Sequence, residues 1–294
     1  MLEPFDIDSW TGPFAPETRA RAQAALESGA VLFFPRMPFR LGNSETEFLD
    51  ARLTDGKAKN ISLDWSRGKL QGTSASGEKA ERLAAMIERF GAGATRFVTD
   101  LLPNYSGVER ARTSYRPVEV EGRAYSRIKD DRLLHVDAFP SRPMGDGKRI
   151  LRFFANVAPP KAKGGGARRW HVGEPFENFA QKFTPRVRPH FPGQSWLFGK
   201  LGVTHGQRSA YDEMMLSLHD AAKRDAEYQK HAPHSAVEFP PGSCWLVYTD
   251  MVLHAALAGE FALEQTFHFD VAKMGEPDKA PIKVLERLTG KTLA

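Results

Sequence analysis

Asp131-Arg132-Leu133-Leu134-His135-Val136-Asp137-Ala138-Phe139 is the stretch on which the reading of this chain turns. In an extended strand, residues two apart point to the same face. A His and an Asp at that spacing aim an imidazole and a carboxylate at one point. One further His from a distant strand completes a facial set of two His and one carboxylate. That set suits non-heme Fe(II), because it holds one face of the metal and leaves the opposite positions open. The third ligand is expected to be His254, in Thr249-Asp250-Met251-Val252-Leu253-His254-Ala255. A lone His-x-Asp is more often an ordinary polar pair, so its meaning rests on what surrounds it.

Around that stretch the chain changes character. Upstream, Pro16 to Ser28 carries Ala20, Ala24, Ala25 and Leu26 on a helical face, with Pro16 to open a helix and Gly29 to stop it. Ala30 to Phe34 reads as a short buried strand ended by Pro35, and Asn43 or Ser44 can cap a second helix through Leu53. Residues 55 to 77 are polar and read as a loop, in which Trp65 is out of place and is expected to anchor the loop or to touch substrate. Glu78 to Leu102 has the helical repeat, with Gly91 and Gly93 as expected kinks.

From about Ser114 the period shortens to that of half-buried strands. Strands are expected at Leu133 to Phe139, Ile150 to Val157, Ala236 to Phe239, Ser243 to Tyr248 and Gln265 to Val271. Gln207 to Gln229 reads as a helical insertion, and Gly164-Gly165-Gly166 as a flexible connection without the Gly-Lys-Ser/Thr ending of a phosphate loop. The expected class is α+β. Residues 1–294 form one domain, with a mainly helical layer over 1–113, a strand-rich core over 114–274 and a charged tail over 275–294. A barrel or two-sheet roll can bring the two ligand segments together at its mouth.

The net charge of +5 suits acidic ligands or an anionic membrane surface. It is too scattered to argue for nucleic acid, and no zinc-finger spacing or RNA-binding motif is present. The single cysteine, Cys244, excludes an internal disulfide and lies in an apolar setting suited to a core residue. The first residues are acidic and lack the apolar run of a signal peptide. No segment is long and apolar enough to span a membrane, so membrane contact, if made, is peripheral.

In the commonest scheme for such an iron site, 2-oxoglutarate chelates the metal and its far carboxylate meets an Arg or Lys. No Arg or Lys occurs between His254 and Lys273; Glu264 and Thr266 stand where that cation is usual. The substitute is expected from Ile150-Leu151-Arg152-Phe153-Phe154-Ala155-Asn156-Val157, where Arg152, Phe154 and Asn156 share a face. A charge in so apolar a strand is costly unless paired, which makes Arg152 the first choice for the cosubstrate, with Asn156 and Thr266 beside it and Arg149 and Arg127 as fallbacks. The other reading of Arg152 is an edge-strand residue that reaches solvent.

His171, His190, His205, His219, His231, His234 and His268 are rival ligands. His268 is the strongest rival, since it shares a face with Thr266 and Asp270. His254 is preferred because Pro240-Pro241-Gly242-Ser243 and the Trp/Leu/Val/Tyr strand after it resemble the lead-in to the distal ligand of Fe(II) oxygenases. A three-histidine cupin-like site is the weaker alternative.

Three segments carry a more specific likeness. His135-Val136-Asp137-Ala138-Phe139-Pro140-Ser141-Arg142-Pro143, Arg152 to Val157, and Arg169-Trp170-His171-Val172-Gly173-Glu174-Pro175-Phe176 resemble the bacterial Kdo hydroxylase family. Kdo is 3-deoxy-D-manno-oct-2-ulosonic acid, the acidic sugar that joins lipid A to the core oligosaccharide. The resemblance covers most of the chain and is strongest from about 125 to 270. It implies a double-stranded β-helix, of the jelly-roll or cupin-like kind, with His135, Asp137 and His254 on iron. It implies Fe(II), 2-oxoglutarate and O2 as reactants, with ascorbate as the reductant in vitro.

The implied reaction converts Kdo to its hydroxylated form, Ko, on a lipid A precursor at the cytoplasmic face of the inner membrane. The replaced hydrogen sits on an unactivated carbon, for which a ferryl oxidant and hydroxyl rebound are apt. Arg127, Lys129 and Arg142 are the expected contacts to the acidic sugar, drawn from a wider basic set that includes Arg123, Arg132, Lys161, Lys163, Arg168 and Arg169. Two other readings stand beside this one. The first is the same chemistry on another small acidic substrate or a protein side chain. The second is a β-barrel that binds acidic glycans without catalysis. Oligomeric state is not legible.

Overall fold

A computed structural model of the chain describes residues 1–122, 125–138, 147–187 and 208–293. Among these, two antiparallel-rich sheets lie face to face, and helices cover the outer side of the larger one. The larger sheet is built from β1 (Leu2–Pro4), β2 (Val31–Phe34), β3 (Ile61–Asp64), β4 (Lys69–Gln71), β5 (Glu109–Arg116), β6 (Arg149–Asn156), β9 (Cys244–Tyr248) and β11 (Ala262–Phe269), in the order β1-β2-β9-β6-β11-β5-β3-β4. The smaller sheet has the order β10-β7-β8, from β7 (Arg168–Gly173), β8 (His234–Phe239) and β10 (His254–Ala258).

Side chains that alternate along each strand sort into two cores. Leu151, Phe153 and Ala155 of β6 point outward and pack with Leu83, Phe90 and Phe97 of the long helix α2 (Gly77–Leu101). Phe154 of the same strand points inward, where it stacks on Trp245 at 5.0 Å. Trp245 stacks in turn on Phe239 at 4.0 Å, and Trp170 meets it edge-on at 5.6 Å. These rings hold the two sheets apart at one end. At the other end the inward positions turn polar, and a cavity opens.

Five elements depart from the sequence expectation. Residues 55–77 are not merely a loop: β3 and β4 form a hairpin, with Leu63 opposite Leu70. The strand expected to begin near Ser114 begins at Glu109. The second helix expected after Asn43 is two 3-10 segments, Asn43–Phe48 and Ala51–Leu53. α2 runs without a break through Gly91 and Gly93. A Cβ at Gly91 would fall 2.1 Å from Arg110 Nη2 and 2.6 Å from Thr113 Oγ1, so the glycine serves close approach to β5, not bending. Of the strand expected over Leu133 to Phe139, the described part contributes one antiparallel bridge, His135 to His254; Phe139 itself lies outside the described residues.

The helix α1 (Pro16–Glu27) and the span of α2 match expectation. Further along come α3 (Phe176–Phe183), α4 (Ala210–Arg224), α5 (Ala226–His231) and α6 (Pro281–Thr289). The expected insertion over 207–229 is therefore the pair α4 and α5, with Gln207 outside the described residues. Cys244 is buried, as its apolar setting implied.

Candidate metal centre and its cavity

The bridge between His135 and His254 builds the centre. His135 N donates to His254 O at 3.1 Å and His254 N donates back to His135 O at 2.9 Å. Two residues on, Asp137 N donates to Thr249 O at 2.7 Å. The segment therefore runs from the start of β10 toward the end of β9, which fixes where both side chains start. Each of His135, Asp137 and His254 presents one ligand-type atom within 4.8 Å of the others, and no other group of three such residues lies so close among the described residues.

The imidazoles are also oriented. His135 Nδ1 lies 2.6 Å from Leu133 O, and His254 Nδ1 lies 2.8 Å from Val252 O. A carbonyl only accepts, so each Nδ1 carries the proton and each Nε2 keeps its lone pair. That is the tautomer a metal-binding histidine needs, with its second nitrogen tied to the backbone. Trp170 stacks on the His254 ring at 5.2 Å. Burial pushes the pKa of both histidines down, with the neighbouring cations Lys223 and Arg152 adding to this at His135 and His254 respectively. Asp137 is driven the other way from what burial alone would do: the Arg152 guanidinium above all offsets desolvation and holds its carboxyl well below the usual range. The donor set is thus two neutral nitrogens and one carboxylate, which fits Fe(II).

Arg152 lies against this centre. Its Nη2 is 2.9 Å from Asp137 Oδ2 and its Nη1 is 2.9 Å from Glu264 Oε1. Glu264 also receives Arg116 Nε at 2.8 Å. One buried carboxylate therefore holds two guanidinium groups side by side. Thr266 Oγ1 lies 3.2 Å from Glu264 Oε1, so it joins the same cluster. All of these line a cavity of about 760 Å3 that reaches from the triad to the β3–β4 hairpin.

Other expected contacts fall elsewhere. Asn156 is not at the cavity: its Nδ2 donates to Gly166 O and Phe239 O, both at 2.8 Å, and its Oδ1 accepts from Ala158 N at 2.9 Å. Its amide is fully used to close a turn between the sheets. Arg127 turns back to the Lys223 carbonyl, and neither it nor Lys129 lines the cavity. Arg142 and Arg123 lie outside the described residues, as do the rival ligands His190 and His205. His268 lines the cavity but is not among the three clustered ligands, His171 and His234 stack on each other at 4.0 Å, and His231 pairs with Glu227. His219 meets the His135 ring edge-on at 5.4 Å and hydrogen-bonds Asp220. Arg149, a fallback for the cosubstrate, is buried on the outer face with Asp250 at 2.7 Å.

Of the wider basic set Arg168 does line the cavity; sequence reasoning missed Arg116, Arg112 and Lys59, which line it too. A signal for two of them was present. Arg112, Ser114 and Arg116 share a strand face with period two, the face that β5 turns toward the centre.

The family model described as 3-deoxy-D-manno-oct-2-ulosonic acid (Kdo) hydroxylase matches residues 9–292. An apo structure of the Kdo hydroxylase KdoO, a non-heme Fe(II) alphaketoglutarate dependent dioxygenase, is similar at 45% identity and a TM-score of 0.94, over 99% of this chain and 97% of that one. KdoO in complex with alphaketoglutarate and Fe(III) is 44% identical with a TM-score of 0.94, over 100% and 97%. KdoO with succinate and Fe(III) gives 44% and 0.94, over 99% and 97%. No curated protein matches the chain.

Proposed function

The chain belongs to the Kdo hydroxylase family, and we propose that its cavity hydroxylates Kdo at the deoxy carbon, giving Ko on a lipid A precursor. It is an Fe(II)/2-oxoglutarate-dependent dioxygenase. The observation that carries this is the clustering of His135, Asp137 and His254 in the wall of an arginine-lined cavity. Iron bound there, with 2-oxoglutarate and O2, supplies the oxidant that turns a C–H bond into C–OH while the cosubstrate becomes succinate and CO2.

The chain's own groups divide the remaining work. His135 and His254 offer Nε2, and Asp137 offers a carboxylate that stays ionised across the physiological range. Arg152, with Thr266 beside it, receives the far carboxylate of 2-oxoglutarate, and Arg116 is the second guanidinium of that cluster. Phe154 and Trp170 form the apolar wall that limits water at the reacting carbon. The alternation of strands between the two sheets supports a double-stranded β-helix, with residues 1–294 as one dioxygenase domain. A peripheral place at the cytoplasmic face of the inner membrane fits an acidic glycolipid acceptor and the chain's excess of positive charge; no described helix is long and apolar enough to cross a membrane.

The test is succinate release from 2-oxoglutarate by iron-loaded protein with ascorbate, with and without a Kdo-bearing lipid A precursor, read beside the acceptor's mass. Kdo-dependent succinate and an acceptor heavier by one oxygen are expected, both lost in His135→Ala. Arg152→Lys replaces a fork by a point charge and is expected to raise the KM for 2-oxoglutarate. Succinate release that ignores the Kdo acceptor overturns the substrate.

A further inference from the structure

The cavity does not end at the reacting centre. It runs on to the β3–β4 hairpin, where Asp64, Trp65 and Arg67 form its rim. Trp65 is 46% exposed, and apart from Met1 it is the one large hydrophobic side chain that stands so exposed among the described residues. Its placement is not loose. The indole Nε1 donates to Arg110 O at 3.0 Å, and the Arg110 guanidinium sits 5.3 Å from the ring centroid. Arg110 is itself fixed by a bidentate pair with Glu88 of α2, at 2.7 and 2.8 Å. The fold thus spends a hydrogen bond, a cation–π contact and an ion pair on holding a water-facing indole at the mouth of the cavity.

A cation stands near it. Leu63 pairs with Thr113 across the β3–β5 ladder, which sets Arg112 beside Asp64, the residue before Trp65. Arg112 lines the cavity; its buried Nε makes no hydrogen bond, and its charge lies close enough to Asp64 to help lower that carboxyl's pKa. An oriented aromatic face with a cavity-lining guanidinium on the adjacent strand is suited to a ring that is apolar on its C–H face and anionic at its edge.

From this we infer that Trp65 and Arg112 form a second acceptor subsite, which holds a further anionic sugar unit of the glycan while the reacting Kdo lies at the triad. Trp65 stacks on the sugar ring, and Arg112 takes its carboxylate or phosphate. The subsite makes the enzyme select an extended acidic glycan over a single sugar. This inference rests on the function proposed above, in that the reacting unit is Kdo.

Calorimetric titration of the full chain with a water-soluble, deacylated Kdo-bearing lipid A saccharide tests it, run with phosphorylated and dephosphorylated forms so that the source of the anion is read directly. Trp65→Ala and Arg112→Gln are each expected to weaken binding of one or both forms about tenfold. In turnover, they raise the acceptor KM while kcat at saturating acceptor and the KM for 2-oxoglutarate stay within about twofold, a split that lost stability alone would not produce. Trp65→Phe keeps a stacking ring and is expected to recover most of the binding, which guards against a variant that fails to fold. Unchanged binding of both forms in both variants overturns the subsite and leaves the hydroxylase reading intact. Binding that depends on Trp65 without any Kdo hydroxylation supports the subsite and overturns the reaction. An effect confined to acylated acceptor in vesicles overturns the subsite in favour of contact with the lipid surface.

Discussion

Glu264 is a carboxylate held charged against its burial. Burial alone would raise its pKa, yet Arg116 and Arg152 outweigh that and draw it below the ordinary carboxylate value. A carboxyl depressed in the folded state contributes stability that is fully present above its unfolded pKa and is lost as pH falls through the folded one. The acid limb of the stability curve is therefore expected to begin below about pH 4.3. Glu264→Gln leaves two half-buried guanidinium groups without their shared anion. It is expected to cost about 3 kcal/mol at pH 7 and to flatten that limb, as measured by urea unfolding at a series of pH values. An unchanged acid limb would show that Glu264 is not what couples the cluster to pH. Sequence reasoning noted that the cation usual after the distal His in such enzymes is absent, and from strand period offered Arg152 as its substitute. It could not see that Glu264 ties Arg152 to Arg116, because that contact joins β5, β6 and β11, and no local pattern records which strands become neighbours.

The helical insertion is an element whose presence was legible and whose purpose was not. Gln229 of α5 takes both backbone groups of Leu134: Leu134 N donates to its Oε1 at 2.8 Å, and its Nε2 donates to Leu134 O at 2.9 Å and to Ala222 O at 2.9 Å. One amide thus stands in for a neighbouring strand, on the side of the His135 segment away from β10. Lys223 of α4 adds a bond to Ile128 O at 3.0 Å. Gln229→Glu keeps the shape but sets a carboxylate against two carbonyls. It is expected to weaken Co(II) binding on the order of tenfold, about 1.4 kcal/mol, read from the metal's visible absorption. A fall in melting temperature with metal affinity intact would make the amide a fastening of the helix and not of the ligand. The β3–β4 hairpin taught the opposite lesson. Its strands are short and polar on the exposed side, so sequence period left them as a loop, and only the pairing of β3 with β5 and of β4 with β3 makes them strands.

At the scale of the whole molecule, the centre joins distant parts of the chain. His135 and Asp137 come from a segment outside the named strands, held by one β-bridge to His254, by the Asp137–Thr249 bond and by Gln229, whereas His254 opens a strand of the smaller sheet. Without metal, that junction rests on backbone hydrogen bonds and on the stacking of Trp170 against His254. A ligand that binds only the folded state stabilises it by about 2.7 kcal/mol at a hundredfold excess over its Kd. Co(II) at that excess is expected to raise the unfolding free energy by this amount, and a chelator is expected to remove the gain. Because the histidines are already neutral and their Nδ1 protons already committed to carbonyls, little of the gain is consumed in reordering the rings. The effect has an address as well as a size. In hydrogen exchange, the amides of His135, Asp137 and His254 are expected to slow on metal addition, because opening their bridge now requires losing the ion. Amides in α1 and in the Trp245–Phe239 end of the sandwich should follow only the global stability. Asp137→Ala should abolish both the added stability and the local slowing. A gain in global stability that survives in Asp137→Ala would place the bound metal at some other set of ligands.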